Sequence, residues 1–159
     1  MSIYSLISHL IQYGMKEKNL FEESGDLSIL AKIQDLLDSG VSIPSDFTTP
    51  MHINSIAESL LCLLDSLPTS LIPSELYESC LEAYDDPAMA RQILRKMPPI
   101  HQQVFDYLFC FIRKYILSTN GNLKVQHVVQ TFVKIIVKAP AQVSAVPQRE
   151  ISFLTTLLL

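Results

Sequence analysis

Glycine is scarce in this chain, with four residues out of 159. No Gly-rich run exists that could cradle phosphates with its backbone N–H groups, and no G-x-S-x-G elbow presents a serine nucleophile. Cysteine is equally thin. Cys62, Cys80 and Cys110 are odd in number, widely spaced and set in apolar surroundings. That pattern predicts buried reduced thiols in a cytosolic protein rather than a disulfide framework. His9, His52, His101 and His127 show no ligand spacing with cysteines or carboxylates, so no metal and no cofactor is expected. Charged residues amount to 18% and the net charge is −4. This balance argues against nucleic-acid binding by phosphate neutralisation and leaves apolar surface for a protein partner. No apolar run reaches the roughly 18–20 residues that span a bilayer, so no transmembrane segment is expected. The opening MSIYSLISHLIQYG has no basic lead and no small-residue cleavage site, and does not read as a secretory signal.

What the chain does have is apolar periodicity. Apolar residues make up 48% of it, and its length suits one domain, residues 1–159, with a proper core. The organising stretch is Ile53–Ile72. Ile53, Ile56, Ala57, Leu60, Leu61, Leu64 and Leu67 recur at three- and four-residue steps, the spacing of one helix face. Cys62 and Leu63 widen the arc, which predicts a helix buried on most sides. Asn54 or Ser55 can cap its start, and Pro68 closes it.

The remaining segments read as further helices. Ile3 to Ile11 form the first, ending at Gly14, a residue free to adopt positive φ at a helix stop. Leu20 and Phe21 plug the following loop into the core, while Glu22-Glu23-Ser24-Gly25 stays exposed. Asp26 or Ser28 opens a helix carrying Leu27, Leu30, Ile33, Leu36 and Leu37, and Ser39-Gly40 ends it. Val41–Pro50 is a loop. Glu75–Tyr84 is a short helix, and Asp85-Asp86-Pro87 caps the next, in which Arg91, Arg95 and Lys96 face out. Those cations form either a modest basic patch or a solvated helix face. His101–Leu117 is long and helical, Ser118–Asn122 is a turn, and Val125–Ile136 is a helix despite its β-branched residues, because the recurrence lies nearer 3.6 than 2. Ala139–Pro147 is a linker, and Arg149–Leu159 a last helix whose terminal leucines either dock or fray. The expected fold is all-α, a single domain of about eight helices.

Two stretches then meet a known family. Asn19-Leu20-Phe21-Glu22-Glu23-Ser24-Gly25 resembles the loop after the first helix of RhoGAP domains, roughly Gly-Ile-Phe-Arg-x-Ser-Gly. Leu64-Asp65-Ser66-Leu67-Pro68-Thr69-Ser70-Leu71-Ile72 resembles their Leu-(Arg)-x-Leu-Pro-x-Pro-Leu-Ile stretch. The chain is more similar still to the RhoGAP-like domain at the C-terminal end of the Lowe-syndrome (OCRL-type) inositol polyphosphate 5-phosphatases. Glu75-Leu76-Tyr77-Glu78-Ser79-Cys80-Leu81, Arg91-Gln92-Ile93, Val104-Phe105, Tyr107-Leu108 and Phe153-Leu154 carry that likeness.

The resemblance implies an all-helical module that binds small G proteins. It also implies that catalysis is lost. Active members place an arginine finger where Glu22 stands, and that arginine is worth roughly 10³–10⁵ in rate. A carboxylate offers no donor there and repels phosphates. The family's lysine and arginine on the central helix align with Leu61 and Asp65, and a helper asparagine aligns with His127. The expected partner-binding residues are therefore Phe21, Glu22, Glu23, Leu61, Asp65, Arg91, Arg95 and His127.

Three functions compete on this reading. The first is a catalytically inactive interaction module binding Rho- or Arf-type G proteins, endocytic adaptor peptides, or both. It would be cytoplasmic and peripheral on endosomal or Golgi membranes through its partners. The second is a GTPase-activating protein that uses Arg91 or Arg95. The third is a purely structural domain of a larger phosphatase-like chain.

Overall fold

The computed structural model describes residues 2–118 and 122–158. Among them lie eight α-helices: α1 (Ser2–His9), α2 (Leu27–Asp38), α3 (Pro50–Asp65), α4 (Tyr77–Glu82), α5 (Pro87–Leu94), α6 (Pro99–Ser118), α7 (Asn122–Ile136) and α8 (Pro147–Leu158). A π-helical turn, Leu10–Gly14, continues α1, and a 3₁₀ turn, Ser74–Leu76, leads into α4. Helix α3 occupies the middle, packing against α1, α2 and α7, while α8 packs against α4, α5, α6 and α7. Leu60, Leu64, Leu108 and Phe132 are all interior. Leu157 in the last turn of α8 is buried as well, so the apolar tail docks as far as the described residues run.

Helix α3 starts earlier than its periodicity suggests. Thr49 is its N-cap, its hydroxyl accepting from the His52 N–H, with Pro50 at the first helical position. That proline supplies a fixed φ where no N–H is needed. Asn54 and Ser55 are not caps but buried helix-interior residues. The apolar arc of α3 is narrower than expected, because Cys62 is exposed. Cys110 is exposed too, and only Cys80 is buried. Burial pushes the Cys80 thiol up to about 12, since removing a thiolate from water is costly.

Gly14 ends the first helix for a different reason than a positive φ. It is buried, and a Cβ there would meet Ile53 Cγ2 and Leu10 Cδ2 at 3.2 Å, so its role is the close approach of this segment to α3. Gly40 does take the left-handed conformation, with φ of 69° after α2. Asp26 caps α2, its carboxylate accepting from the backbone of Ser28 and Ile29. Leu27, expected on the inner face, points to solvent. It belongs to the first turn, ahead of the stripe begun by the buried Ile29 and Ile33. The turn expected at Ser118–Asn122 lies mostly at 119–121, outside the described residues; Ser118 and Asn122 themselves end α6 and begin α7.

Candidate functional site

The loop between the π-turn and α2 is fixed from several directions. Leu20 is buried, and its N–H donates to the Tyr115 hydroxyl of α6 at 3.1 Å. That hydroxyl shares its own proton between the carbonyls of Glu17 at 3.1 Å and Lys18 at 3.2 Å. Phe21 has φ of 71°, a conformation that costs a residue with a Cβ about 1–2 kcal/mol. Its ring lies edge-on to Phe132 at 5.0 Å, Phe111 at 6.1 Å and Tyr115 at 6.3 Å between centroids. Aromatic contacts of this geometry offset the backbone strain. The loop exit is pinned to α3, where the Gly25 N–H donates to Glu58 Oε2 at 2.5 Å and the Asp26 N–H to Ser55 Oγ at 2.9 Å. A Cβ on Gly25 would stand 2.6 Å from the Ser55 Cα, so the loop can run this close to α3 only with glycine.

With Phe21 turned inward, Glu22 is turned out. Its carboxylate stands 3.9 Å from His127 Nε2 on α7, and the two side chains are 39% and 42% exposed. That separation is beyond hydrogen-bond reach, and His127 Nε2 has no hydrogen-bond partner among the described residues. Although the imidazole is partly exposed, this one nitrogen is covered. Glu23 is exposed and accepts from Asn19 Nδ2 at 3.3 Å. On α3, Leu61 is partly buried against the core. Asp65 is 65% exposed and pairs with Lys138 at 2.9 Å, and the same ammonium also donates to the Asp65 carbonyl at 3.1 Å.

The structure thus brings Glu22 and His127 together and packs α3, which carries Leu61 and Asp65, against α7. Arg91 and Arg95 are placed differently. Arg91 is exposed on α5 and Arg95 at its C-cap; α5 packs against α4 and α8, and with Met97, Gln102 and Asp106 the two arginines line a separate cleft. Sequence reasoning missed Tyr115, Ser55, Glu58 and Lys138. Tyr115 could be read only as an apolar-face residue, and nothing in the sequence pairs Lys138 with Asp65.

A second feature is apolar. Ile3, Leu63, Leu67, Leu71, Ile100 and Val104 line an open groove of about 460 Å3. At its edge the His101 Nδ1–H donates to the Leu71 carbonyl at 2.8 Å. Among the described residues no three His, Cys, Asp or Glu side chains group as metal ligands, and no helix is long and apolar enough to cross a membrane.

A family model for the RhoGAP domain matches residues 1–134. The chain belongs to the RhoGAP domain family. It is similar to the type II inositol 1,4,5-trisphosphate 5-phosphatase of Mus musculus, 29% identical over 141 residues, which cover 88% of this chain and 14% of that protein. It is also similar to Rho GTPase-activating protein 17 of Homo sapiens, 29% identical over 126 residues, covering 76% of this chain and 14% of that protein. The chain therefore spans about one seventh of the length of these curated relatives. Among solved structures, human Rho GTPase activating protein 15 superposes with a TM-score of 0.82 at 17% identity, over 99% of this chain and 78% of that one. This likeness establishes the all-α RhoGAP fold.

The geometry of loop 19–25 is that of a loop built to hold one side chain outward, and the side chain held is a carboxylate.

Proposed function

We propose that this chain is a catalytically inactive RhoGAP-like module that binds small G proteins. The observation that carries the reading is Glu22: exposed at the finger position, on a loop held by Tyr115, Glu58 and Ser55. An arginine finger stabilises charge that develops on the transferring phosphoryl group. A carboxylate can only oppose that charge, and a loop tethered this way keeps it in place. Asp65 deepens the inversion, because the cation beside it, Lys138, is engaged by its carboxylate and its carbonyl.

Substitution of another arginine for the finger is disfavoured. Arg91 lies on α5 and Arg95 at its C-cap, and α5 packs against α4 and α8, whereas the finger loop is held by α3 and α6. The partners proposed are Rho- or Arf-type G proteins, which would bring the protein to endosomal or Golgi membranes from the cytoplasm. The test is a pull-down against a panel of small G proteins in both nucleotide states, with phosphate release measured on each complex. Binding without stimulated hydrolysis supports the reading. Hydrolysis stimulated a thousandfold overturns it, and absence of binding to any member favours a purely structural role.

The apolar groove favours a second reading beside the first, in which an endocytic adaptor peptide inserts an apolar side chain between Ile3, Leu67 and Val104. Val104→Glu should then abolish capture of such a peptide while leaving G-protein binding intact.

A further inference from the structure

We infer that the finger loop makes this domain a reader of nucleotide state with inverted preference, taking the diphosphate-loaded form of its G-protein partner over the triphosphate-loaded form. The inference rests on the reading above, that this face meets the partner's nucleotide, and adds to it the sign of the discrimination.

The argument starts from how little freedom Glu22 has. Its own N–H donates to the Asn19 carbonyl at 3.0 Å, closing a turn. The preceding residue is locked by its left-handed backbone and three ring contacts. The following residues are tied to α3 through Gly25 and Asp26. The carboxylate can therefore move by its own rotamers, but the loop cannot carry it away from an approaching partner.

The imidazole that faces this charge does not bind it. His127 is the basic group beside it, and at 3.9 Å it makes no hydrogen bond to it. Lys138, just past the end of α7, is held by Asp65 of α3 through two oxygens. Burial pushes the neighbouring Tyr115 phenol up, and the charges of Glu22 and Glu17 add to that direction, so the phenol remains a neutral donor and does not balance the carboxylate.

A triphosphate differs from a diphosphate by one anionic phosphoryl group. Like charges brought together at an interface that excludes water repel far more strongly than in bulk. A fixed carboxylate thus acts as an element of repulsion against one of two otherwise similar partners, which is how specificity is often obtained. The expected preference is about tenfold in Kd, equivalent to about 1.4 kcal/mol.

The test takes a panel of Rho- and Arf-type G proteins, each loaded with GDP or with a non-hydrolysable GTP analogue, and measures Kd by calorimetry for the unchanged chain and for Glu22→Gln. Glutamine keeps the size and exposure of the side chain and removes its charge. The expected result is about tenfold tighter binding to the GDP form, falling to within about twofold in Glu22→Gln because the triphosphate form gains affinity. Equal affinities in the unchanged chain, tighter binding to the triphosphate form, or an undiminished preference in Glu22→Gln each overturn this inference alone. Absence of binding in both states overturns the underlying reading and this inference with it.

Discussion

Two buried tyrosines tie two different segments to the core, and the ways they do it differ. The Tyr115 hydroxyl on α6 meets main chain, accepting from the N–H of Leu20 and donating to the carbonyls of Glu17 and Lys18. Tyr77 on α4 accepts from the Val146 N–H at 3.1 Å and donates to the carboxylate of Glu150 in the first turn of α8. Glu150 is only 8% exposed, so this second tie joins two buried side chains. The first arrangement fixes a loop and leaves the tip outside, where Glu22 stands. The second clamps a helix and leaves nothing outside. The same residue type thus serves display in one place and docking in the other, and what separates them is whether the acidic group nearby is buried or exposed.

The largest expected effect comes from removing what the two segments share. Helix α3 holds the exit of loop 19–25 and packs against α7, which in turn packs on α8. Leu64 is buried in that helix. Leu64→Ala should cost about 2–5 kcal/mol, the range for a truncated core leucine, read by urea unfolding. A loss under about 0.5 kcal/mol would place Leu64 at the surface and break the assignment of the α3 face.

Next come the tyrosines themselves. Tyr77→Phe strands a buried carboxylate and should destabilise by about 1.5–3 kcal/mol, the range for hydrogen bonds to charged groups. Tyr115→Phe removes bonds between neutral groups and should cost about 1 kcal/mol, with a loss of G-protein affinity that Tyr77→Phe does not share. The reverse order of stabilities would show that the clamp at Glu150 is the weaker of the two ties.

Alkaline pH sharpens the same contrast. Burial raises both phenols above the ordinary tyrosine value of about 10, and the hydrogen bond from Tyr77 to Glu150 raises that one further. A raised folded-state value means that the contribution is complete below the unfolded value and is lost as the pH climbs through the folded one. Stability should therefore fall as the pH rises above about 10, and the fall should be shallower in Tyr77→Phe. An unchanged slope in that variant would remove Tyr77 from the account.

Much of this was legible in the sequence. The helix order and the inward turn of Phe21 with Glu22 outward follow from periodicity and from two apolar residues set before two acidic ones. Local patterns could not reveal ties between distant residues. Tyr77 and Glu150 are 73 positions apart and Leu20 and Tyr115 are 95 apart, so neither member of a pair points to the other in the sequence. The role of Gly14 was missed for the same reason, since the group it makes room for, Ile53, belongs to α3. Leu27, Cys62 and Cys110 show the opposite limit. Each looks apolar by composition, yet a helix buries only the arc that meets a neighbour, and which arc that is depends on tertiary packing.

The smallest expected effect concerns the displayed side chain. Glu22→Arg should leave stability within about 0.5 kcal/mol, as for exposed substitutions generally. The guanidinium would supply the planar donor fork of a finger and would remove a carboxylate from the phosphate side. The loop tethers already meet one need of a finger, a fixed backbone. They do not supply the supporting cations, because Leu61 is apolar and Asp65 is a carboxylate held by Lys138. Charge stabilisation in a transition state depends on several groups aimed together, and one donor without its supports is poorly positioned. Hydrolysis on a bound G protein should therefore stay within about tenfold of the intrinsic rate, under about 1.4 kcal/mol of barrier. A larger rise should need Leu61→Lys and Asp65→Arg in addition. Stopped-flow phosphate release decides between the two. A hundredfold stimulation by Glu22→Arg alone would show that the loop and its tethers suffice for catalysis, and that the displayed residue was the one thing missing.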